Sequence, residues 1–295
     1  MKFGKTIQIY LENGNTSGIR HLEIVNWSGQ GIFVPRTKIK DLDRWAEAKR
    51  PGIYFLFGRD EENGCQAVYI GESENILERL RKHINKKKFW NEAIFFTSKD
   101  DHLTKSHIKY LEARSIEIAK DAGRYTLENS NRATLPSLPL SAKDSMEEFI
   151  LNIKILLGST GHKVLEPLLS VTQKNEPMNK DDVIFTLTIS EISAKAILNE
   201  EGMVVLKDSQ AKIESQPSLS NGYKRKKEQL IDERTLTLDS SSSHYIFSSD
   251  CLFTSPSQAA AVITGIAING RRTWKIGDMT LKKFEEIKLK GQDDS

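Results

Sequence analysis

Two short stretches decide the fold of this chain: Gly52-Ile53-Tyr54 and Tyr69-Ile70-Gly71. Each lies in an apolar run typical of a β-strand, and the polar segment 58–65 between them contains the turn dipeptide Asn-Gly. Two such runs around such a loop predict a β-hairpin. Side chains two residues apart in a strand share a face, so pairing of these strands would bring both tyrosines and two glycines onto one small surface.

A helix is predicted directly after the hairpin. Ser73 or Asn75 can cap it, and apolar residues recur at helical spacing from 76 to 84. Arg79 and His83 are four residues apart on this helix, so they project from the same face one turn apart.

A second predicted helix begins after Thr104 and ends at Gly123, a residue type that commonly terminates helices. Glu112 lies in the middle of this helix, beside its apolar stripe. The polar loop that follows contains two asparagines, Asn129 and Asn131.

The order of these features resembles that of the GIY-YIG nucleases. Each short motif is weak alone, but together and in this order they are fairly specific. The resemblance covers about residues 50 to 135 and implies a small β-sheet flanked by helices. It rests on the two tyrosine-glycine strands, Arg79 followed by His83, Glu112 within Tyr110-Leu111-Glu112-Ala113-Arg114, and an asparagine near residue 130.

The resemblance implies a metal-dependent endonuclease that hydrolyses phosphodiester bonds in DNA. Such a reaction needs a base for the attacking water, positive charge on the phosphate and a metal ion. Arg79 would hold the scissile phosphate through its planar fork. Glu112 would bind Mg²⁺, for which Mn²⁺ can substitute, because Mg²⁺ commonly uses only one or two protein carboxylates and several waters.

The resemblance also implies roles for the remaining residues of the motif. Tyr69 is the expected base, and Tyr54 and His83 would position water or phosphate. Asn129 would orient neighbouring groups, with Asn131 as the alternative.

Each of these residues also has an ordinary structural interpretation. A strand tyrosine is usually a packing residue, and Arg79 with His83 could belong to a solvated helix face. Glu112 could pair with Lys109 on its own helix. A catalytically silent protein that binds nucleic acid or a partner through the same fold is therefore the alternative hypothesis.

The composition is that of a globular protein, with 38% apolar and 28% charged residues among 295. The net charge is only +3, so DNA binding would depend on local charge. Basic residues cluster on or just after the first predicted helix, at Arg79, Arg81, Lys82, Lys86, Lys87 and Lys88.

Cys65 and Cys251 are far apart, and neither a signal peptide nor a membrane span is visible. These observations favour a cytoplasmic protein without a membrane partner.

The sequence thus predicts an α+β protein in four parts. These are a β-rich N-terminal extension at 1–49, the nuclease domain at 50–135, a helix and linker at 136–182, and a C-terminal α+β module at 183–291. The extension has strand-like runs at 7–11 and 32–34 and a short polar helix at 42–48, and the linker helix is predicted to start at Ser141 or Asp144. Residues 173–182 are expected to form a flexible boundary.

The passage Asn269-Gly270-Arg271-Arg272-Thr273-Trp274-Lys275 completes a pattern in the C-terminal part of the chain. This pattern resembles a module of unknown function that follows GIY-YIG domains and is akin to restriction-methylase-associated domains. This resemblance implies contact with DNA. The chain departs from the module's pattern at Asp208, where glycine is expected, and Trp274 is either a core residue or a stacking platform for a base. The predicted elements are strands at 184–189, 203–207 and 247–253, a basic helix at 223–232, and a helix that starts at Ser255-Pro256.

Target sequence, strandedness and the choice between DNA and RNA depend on contacts that this pattern does not specify. A site with one metal cuts one strand at a time. Cleavage of both strands would therefore indicate a homodimer on the substrate.

Overall fold

A seven-stranded sheet organises the first part of the chain. The structure is a computed structural model, and it describes residues 3–59, 66–100, 102–129, 134–167, 183–189, 191–240 and 243–290. The chain divides into two units, Met1–Pro167 and Leu168–Ser295. In the first unit the strands lie in the order β1-β2-β3-β6-β4-β5-β7, and only the β5–β7 pair is parallel. The strands are β1 (Ile7–Leu11), β2 (Arg20–Ile24), β3 (Gly29–Pro35), β4 (Gly52–Arg59), β5 (Gln66–Ser73), β6 (Trp90–Ser98) and β7 (Thr126–Leu127).

The predicted hairpin is confirmed. Strands β4 and β5 pair antiparallel, with Tyr54 opposite Gly71 and Leu56 opposite Tyr69. The rings of Tyr54 and Tyr69 lie on one face, 6.2 Å apart between centroids. Residues 60–65 of the connecting loop, including Cys65, lie outside the described residues.

Three α-helices accompany this sheet: α1 (Ile76–Lys86), α2 (Lys105–Ala122) and α3 (Leu140–Ser159). The side chain of Asn75, one of the two predicted caps, accepts a hydrogen bond from the Glu78 amide and begins α1. Thr104 caps α2, which ends at Gly123 in the left-handed conformation with φ of 63°, as predicted. The caps predicted for α3 are wrong, because this helix begins at Leu140 after Pro139 and without a side-chain cap.

The sheet carries a hydrophobic core on each face. Helices α2 and α3 cover one face, where Phe55, Ile70 and Leu111 are buried. On the other face α1 packs beside two 3-10 helices, Arg36–Arg44 and Ala46–Lys49, over Tyr54 and Leu56. The short polar helix predicted at 42–48 falls within these two segments, as 3-10 helix that is interrupted at Trp45. Strand β3 pairs with β6 along its length, so residues 1–49 and 50–135 contribute to one continuous sheet.

The second unit is also mixed α and β, which confirms the predicted α+β class with a second domain. Its six-stranded sheet has the order β14-β10-β9-β8-β15-β16, beside a three-stranded sheet, β11-β13-β12. The strands are β8 (Ile184–Ile189), β9 (Ile192–Asn199), β10 (Gly202–Val205), β11 (Gln210–Ala211), β12 (Leu236–Leu238), β13 (Tyr245–Phe247), β14 (Cys251–Phe253), β15 (Lys275–Ile276) and β16 (Met279–Thr280). The helices are α4 (Asn221–Asp232), α5 (Pro256–Thr264), α6 (Gly270–Thr273) and α7 (Leu281–Lys290).

Some predictions for this unit need correction. The single strand expected at 247–253 is wrong, because β13 and β14 belong to different sheets. Asp208 takes the left-handed conformation with φ of 66°, so the turn expected to need glycine is made with aspartate. Trp274 is fully buried and donates its indole N–H to the Pro256 carbonyl at 3.1 Å, which makes it a core residue and excludes base stacking. The predicted boundary at 173–182 lies outside the described residues.

Among the described parts of the chain, no helix is both long enough and apolar enough to cross a membrane.

Candidate active site

A cross-strand pair, Tyr54 and Gly71, forms the floor of the candidate site. Tyr54 is fully buried on β4, and Gly71 lies opposite it on β5. A Cβ atom built on Gly71 would overlap the Tyr54 hydroxyl oxygen. Glycine at this position therefore makes the space that the phenol occupies.

The Tyr54 hydroxyl joins the hairpin to helix α1. It lies 2.8 Å from Nε2 of His83 and accepts a hydrogen bond from Nε of Arg79 at 3.1 Å. The predicted one-turn spacing of Arg79 and His83 thus directs both side chains to a single oxygen. Arg79 forms no ion pair with the described carboxylates.

Tyr69 stands beside this group but is only half-buried. Its ring centroid is 5.2 Å from that of His83, and its hydroxyl lies close enough to interact with the Arg79 guanidinium. The Nζ atom of Lys87 is 4.2 Å from the centroid of the Tyr69 ring. Of the two motif tyrosines, only Tyr69 is accessible from solvent.

Burial fixes the protonation of the two inner groups. Loss of solvent, with a smaller effect of Tyr69, raises the pKa of Tyr54 far above its ordinary value, although Arg79 opposes this. Burial is also the main factor that lowers the pKa of His83 to about 4, and the charges of Arg79, Lys87 and Lys86 contribute to this value. At neutral pH the phenol therefore keeps its proton and the imidazole is uncharged.

Glu112 reaches the site from helix α2. Burial is the main factor that raises the pKa of its carboxyl to about 7, and the charge of Glu72 adds to this. The main-chain amide of Glu72 and the charges of Arg79 and Lys109 act in the opposite direction. The Glu112 carboxyl thus lies beside the main chain of Glu72 and within electrostatic range of Arg79 and Tyr54.

Glu72 is a further acidic residue near the site that the sequence did not predict. It directly follows Gly71 on β5, and alternation along the strand puts it on the same face as Ile70, which packs in the core beneath α2. That alternation, combined with the position of Glu112 on α2, is the signal that could have identified it.

The donor set suits a divalent cation that keeps most of its waters. Among the described residues, no three His, Cys, Asp or Glu side chains form a metal-binding group. Glu112 and Glu72 offer hard carboxylate oxygens, and their mutual repulsion would be relieved by a cation. Mg²⁺ in proteins is often held by one or two carboxylates in this way.

Asn129 supports the hairpin from the side. Its amide oxygen accepts from the main-chain N–H of Ile70 at 3.1 Å, and its amide nitrogen donates to the Ile70 carbonyl at 2.7 Å. The side chain thereby continues the pairing of β7 with β5 by one residue and fixes the main chain between Tyr69 and Gly71. The alternative candidate, Asn131, lies outside the described residues.

Comparison with known proteins bears on the second unit. No curated protein and no solved structure matches the chain. One family model, described as a domain of unknown function (DUF4357), matches residues 185–285, which overlap the C-terminal module predicted at 183–291 and include none of the candidate site residues.

Proposed function

We propose that the first unit is a metal-dependent endonuclease of the GIY-YIG type that hydrolyses phosphodiester bonds in DNA. One observation carries this proposal: the Arg79 guanidinium, which forms no ion pair among the described residues, is held by a buried phenol and interacts electrostatically with an accessible phenol and a half-buried carboxyl. An ordinary surface helix has no need for this convergence.

Arg79 would bind the scissile phosphate. Tyr54 occupies its Nε atom, which leaves the terminal N–H groups for phosphate oxygens. Neutral His83 supports the same hydroxyl, so the guanidinium is fixed before substrate arrives. Such fixed positive charge stabilises the extra negative charge of the transition state without reorganisation.

Tyr69 would accept the proton of the attacking water. It is the accessible phenol, whereas Tyr54 is sealed from solvent and has a raised pKa. Arg79 and Lys87 lie beside Tyr69 and would stabilise the negative charge that it acquires on losing its proton.

Glu112, assisted by Glu72, would hold Mg²⁺ or Mn²⁺. The bound ion would polarise the phosphate and stabilise the departing oxygen. The role of Glu112 is to supply an ionised carboxylate, which the cation favours over the protonated form that burial promotes.

Cleavage of supercoiled plasmid tests the proposal. We expect wild-type protein to nick the plasmid with Mg²⁺ or Mn²⁺ and not with EDTA. Glu112→Gln should slow nicking about a hundredfold or more, since a catalytic metal contributes several kcal/mol to the transition state. Asp121→Asn is the matched control, because Asp121 is an exposed carboxylate on the same helix.

No nicking with any divalent metal would contradict the proposal. If DNA binding were then retained and weakened by Arg79→Ala, the result would favour the catalytically silent nucleic-acid-binding protein.

A further inference from the structure

Lys87 has an unusual position for a lysine at the end of a helix. It directly follows α1, is half-buried, and places its ammonium 4.2 Å from the ring centroid of Tyr69. It forms no ion pair with a carboxylate of the described residues. Its charge is therefore partly desolvated and uncompensated beside the accessible phenol.

The main chain around Lys87 is held on both sides. Its own N–H donates to the His83 carbonyl at 3.0 Å. The Arg36 guanidinium donates to carbonyls that bracket Lys87, those of Ile84 at 2.6 Å, Lys88 at 3.0 Å and Trp90 at 2.9 Å. Arg36 also lies over the Trp90 ring, 4.7 Å from its centroid. The turn that carries Lys87 is thus preorganised, whereas the side chains of Lys86 and Lys88 are exposed.

Positive charge surrounds His83. Arg79, Lys86 and Lys87 all act on its imidazole, which is 5% exposed, and its Nδ1 atom is buried without a hydrogen-bond partner among the described residues. The nearby Arg81, in contrast, is neutralised by Asp43 at 2.5 Å. Partly desolvated positive charge of this kind is stabilised when a phosphate or similar anion binds.

We propose that Lys87 is a substrate-binding residue, whose ammonium binds an oxygen of the phosphodiester group that Arg79 also holds, with Tyr69 in contact with both cations. This inference rests on the proposed function and names a further residue of the same site. The ligand class is a phosphodiester anion, for which inorganic phosphate is the simplest probe.

The test measures binding without divalent metal, so that it does not depend on cleavage. Full-length wild-type protein, Lys87→Met and Lys87→Gln are titrated with a DNA duplex in EDTA at several salt concentrations, and with inorganic phosphate. Each Lys87 variant should bind DNA about tenfold more weakly and lower the slope of log affinity against log salt by about 1. Lys87→Arg should restore binding. The exposed neighbour variant Lys88→Met should change the affinity no more than about threefold, as expected for a solvated charge.

Equal losses in the Lys87 and Lys88 variants would overturn the inference, because they would indicate only a general charge effect. Failure of the wild-type protein to bind either probe would also overturn it. If the wild-type protein cuts DNA but the Lys87 variants bind and cut as it does, only the inference fails. If DNA is never cut but phosphate binding is lost specifically in both Lys87 variants, the proposed function fails and the anion site remains.

Discussion

At the scale of single residues, the two motif tyrosines differ in what surrounds them. Tyr54 is fully buried and hydrogen-bonded to Arg79 and His83, whereas Tyr69 is half-buried beside two cations. Tyr69→Phe should therefore slow single-turnover cleavage about a hundredfold or more, a typical contribution of general base catalysis, with little change in unfolding free energy. Tyr54→Phe should also destabilise the protein by about 1–3 kcal/mol, because it leaves buried polar groups unpaired. A urea titration of both variants checks this difference, and equal stability losses would contradict it.

The Glu112 carboxyl should make metal binding depend on pH. Burial and Glu72 raise its pKa to about 7, and only the ionised form binds a cation well. Mn²⁺ affinity, measured by calorimetry, should thus rise up to about tenfold per pH unit below 7 and level off above it. Glu72→Gln should move this levelling to lower pH, since it removes a like charge. An affinity that is constant from pH 6 to 8 would contradict the account.

The same raised pKa has a consequence for folding. In the unfolded chain this carboxyl titrates near its ordinary value of 4.5, so the folded protein holds the proton more tightly. The contribution of this carboxyl to the free energy of unfolding is therefore complete below about pH 4.5. In metal-free protein it is lost as the pH rises through about 7. Glu112→Gln should remove this part of the pH dependence of unfolding.

At the scale of elements, the site depends on a close approach between β4 and β5. In Gly71→Ala the new methyl group would overlap the Tyr54 hydroxyl, so the phenol must move away from Arg79. Overpacking of this kind should cost about 1–3 kcal/mol of stability and also reduce cleavage. Gly18→Ala is the control in the same unit, since its methyl group would meet only ordinary contacts at 3.6 Å. Thermal unfolding compares the two, and a fully stable Gly71→Ala protein would contradict this geometry.

The elements that the sequence predicted are those with local signals. The hairpin has two apolar runs around a turn dipeptide, and α2 has a cap at Thr104 and a stop at Gly123. The central strand β6 was not predicted, because its run from Ala93 to Phe96 is buried on both faces and does not alternate. Strand β2, which pairs with its sequence neighbours β1 and β3, was also missed, because only Leu22 and Ile24 of its five residues are apolar.

For the site itself, the motif predicted which side chains come together, but not their solvent access. Tyr54 is buried because α1 packs on this face of the sheet, and such tertiary packing is not visible in the motif. Glu72 and Lys87 belong to no sequence motif. The position of Glu72 depends on which face of β5 meets α2. The position of Lys87 depends on how Arg36 holds the end of α1.

At the scale of the whole molecule, each unit has its own hydrophobic core, and all described residues of the candidate site belong to the first. Trp274 is fully buried in the core of the second unit. Trp274→Ala should destabilise that unit by about 3–5 kcal/mol, which thermal unfolding would detect. Metal-dependent nicking per folded molecule should remain, and its loss while the first unit stays folded would show that catalysis needs the second unit.

The proposed mechanism requires the side chains of Arg79 and Tyr69 to act together on one phosphodiester group. Groups that act as a unit in catalysis have strongly non-additive effects. The most direct test is therefore the single-turnover cleavage rate of Arg79→Ala, Tyr69→Phe and the double variant with Mg²⁺. We expect the double variant to be about as slow as the slower single variant. Losses that multiply in the double variant, or a wild-type protein that cuts no DNA, would contradict it.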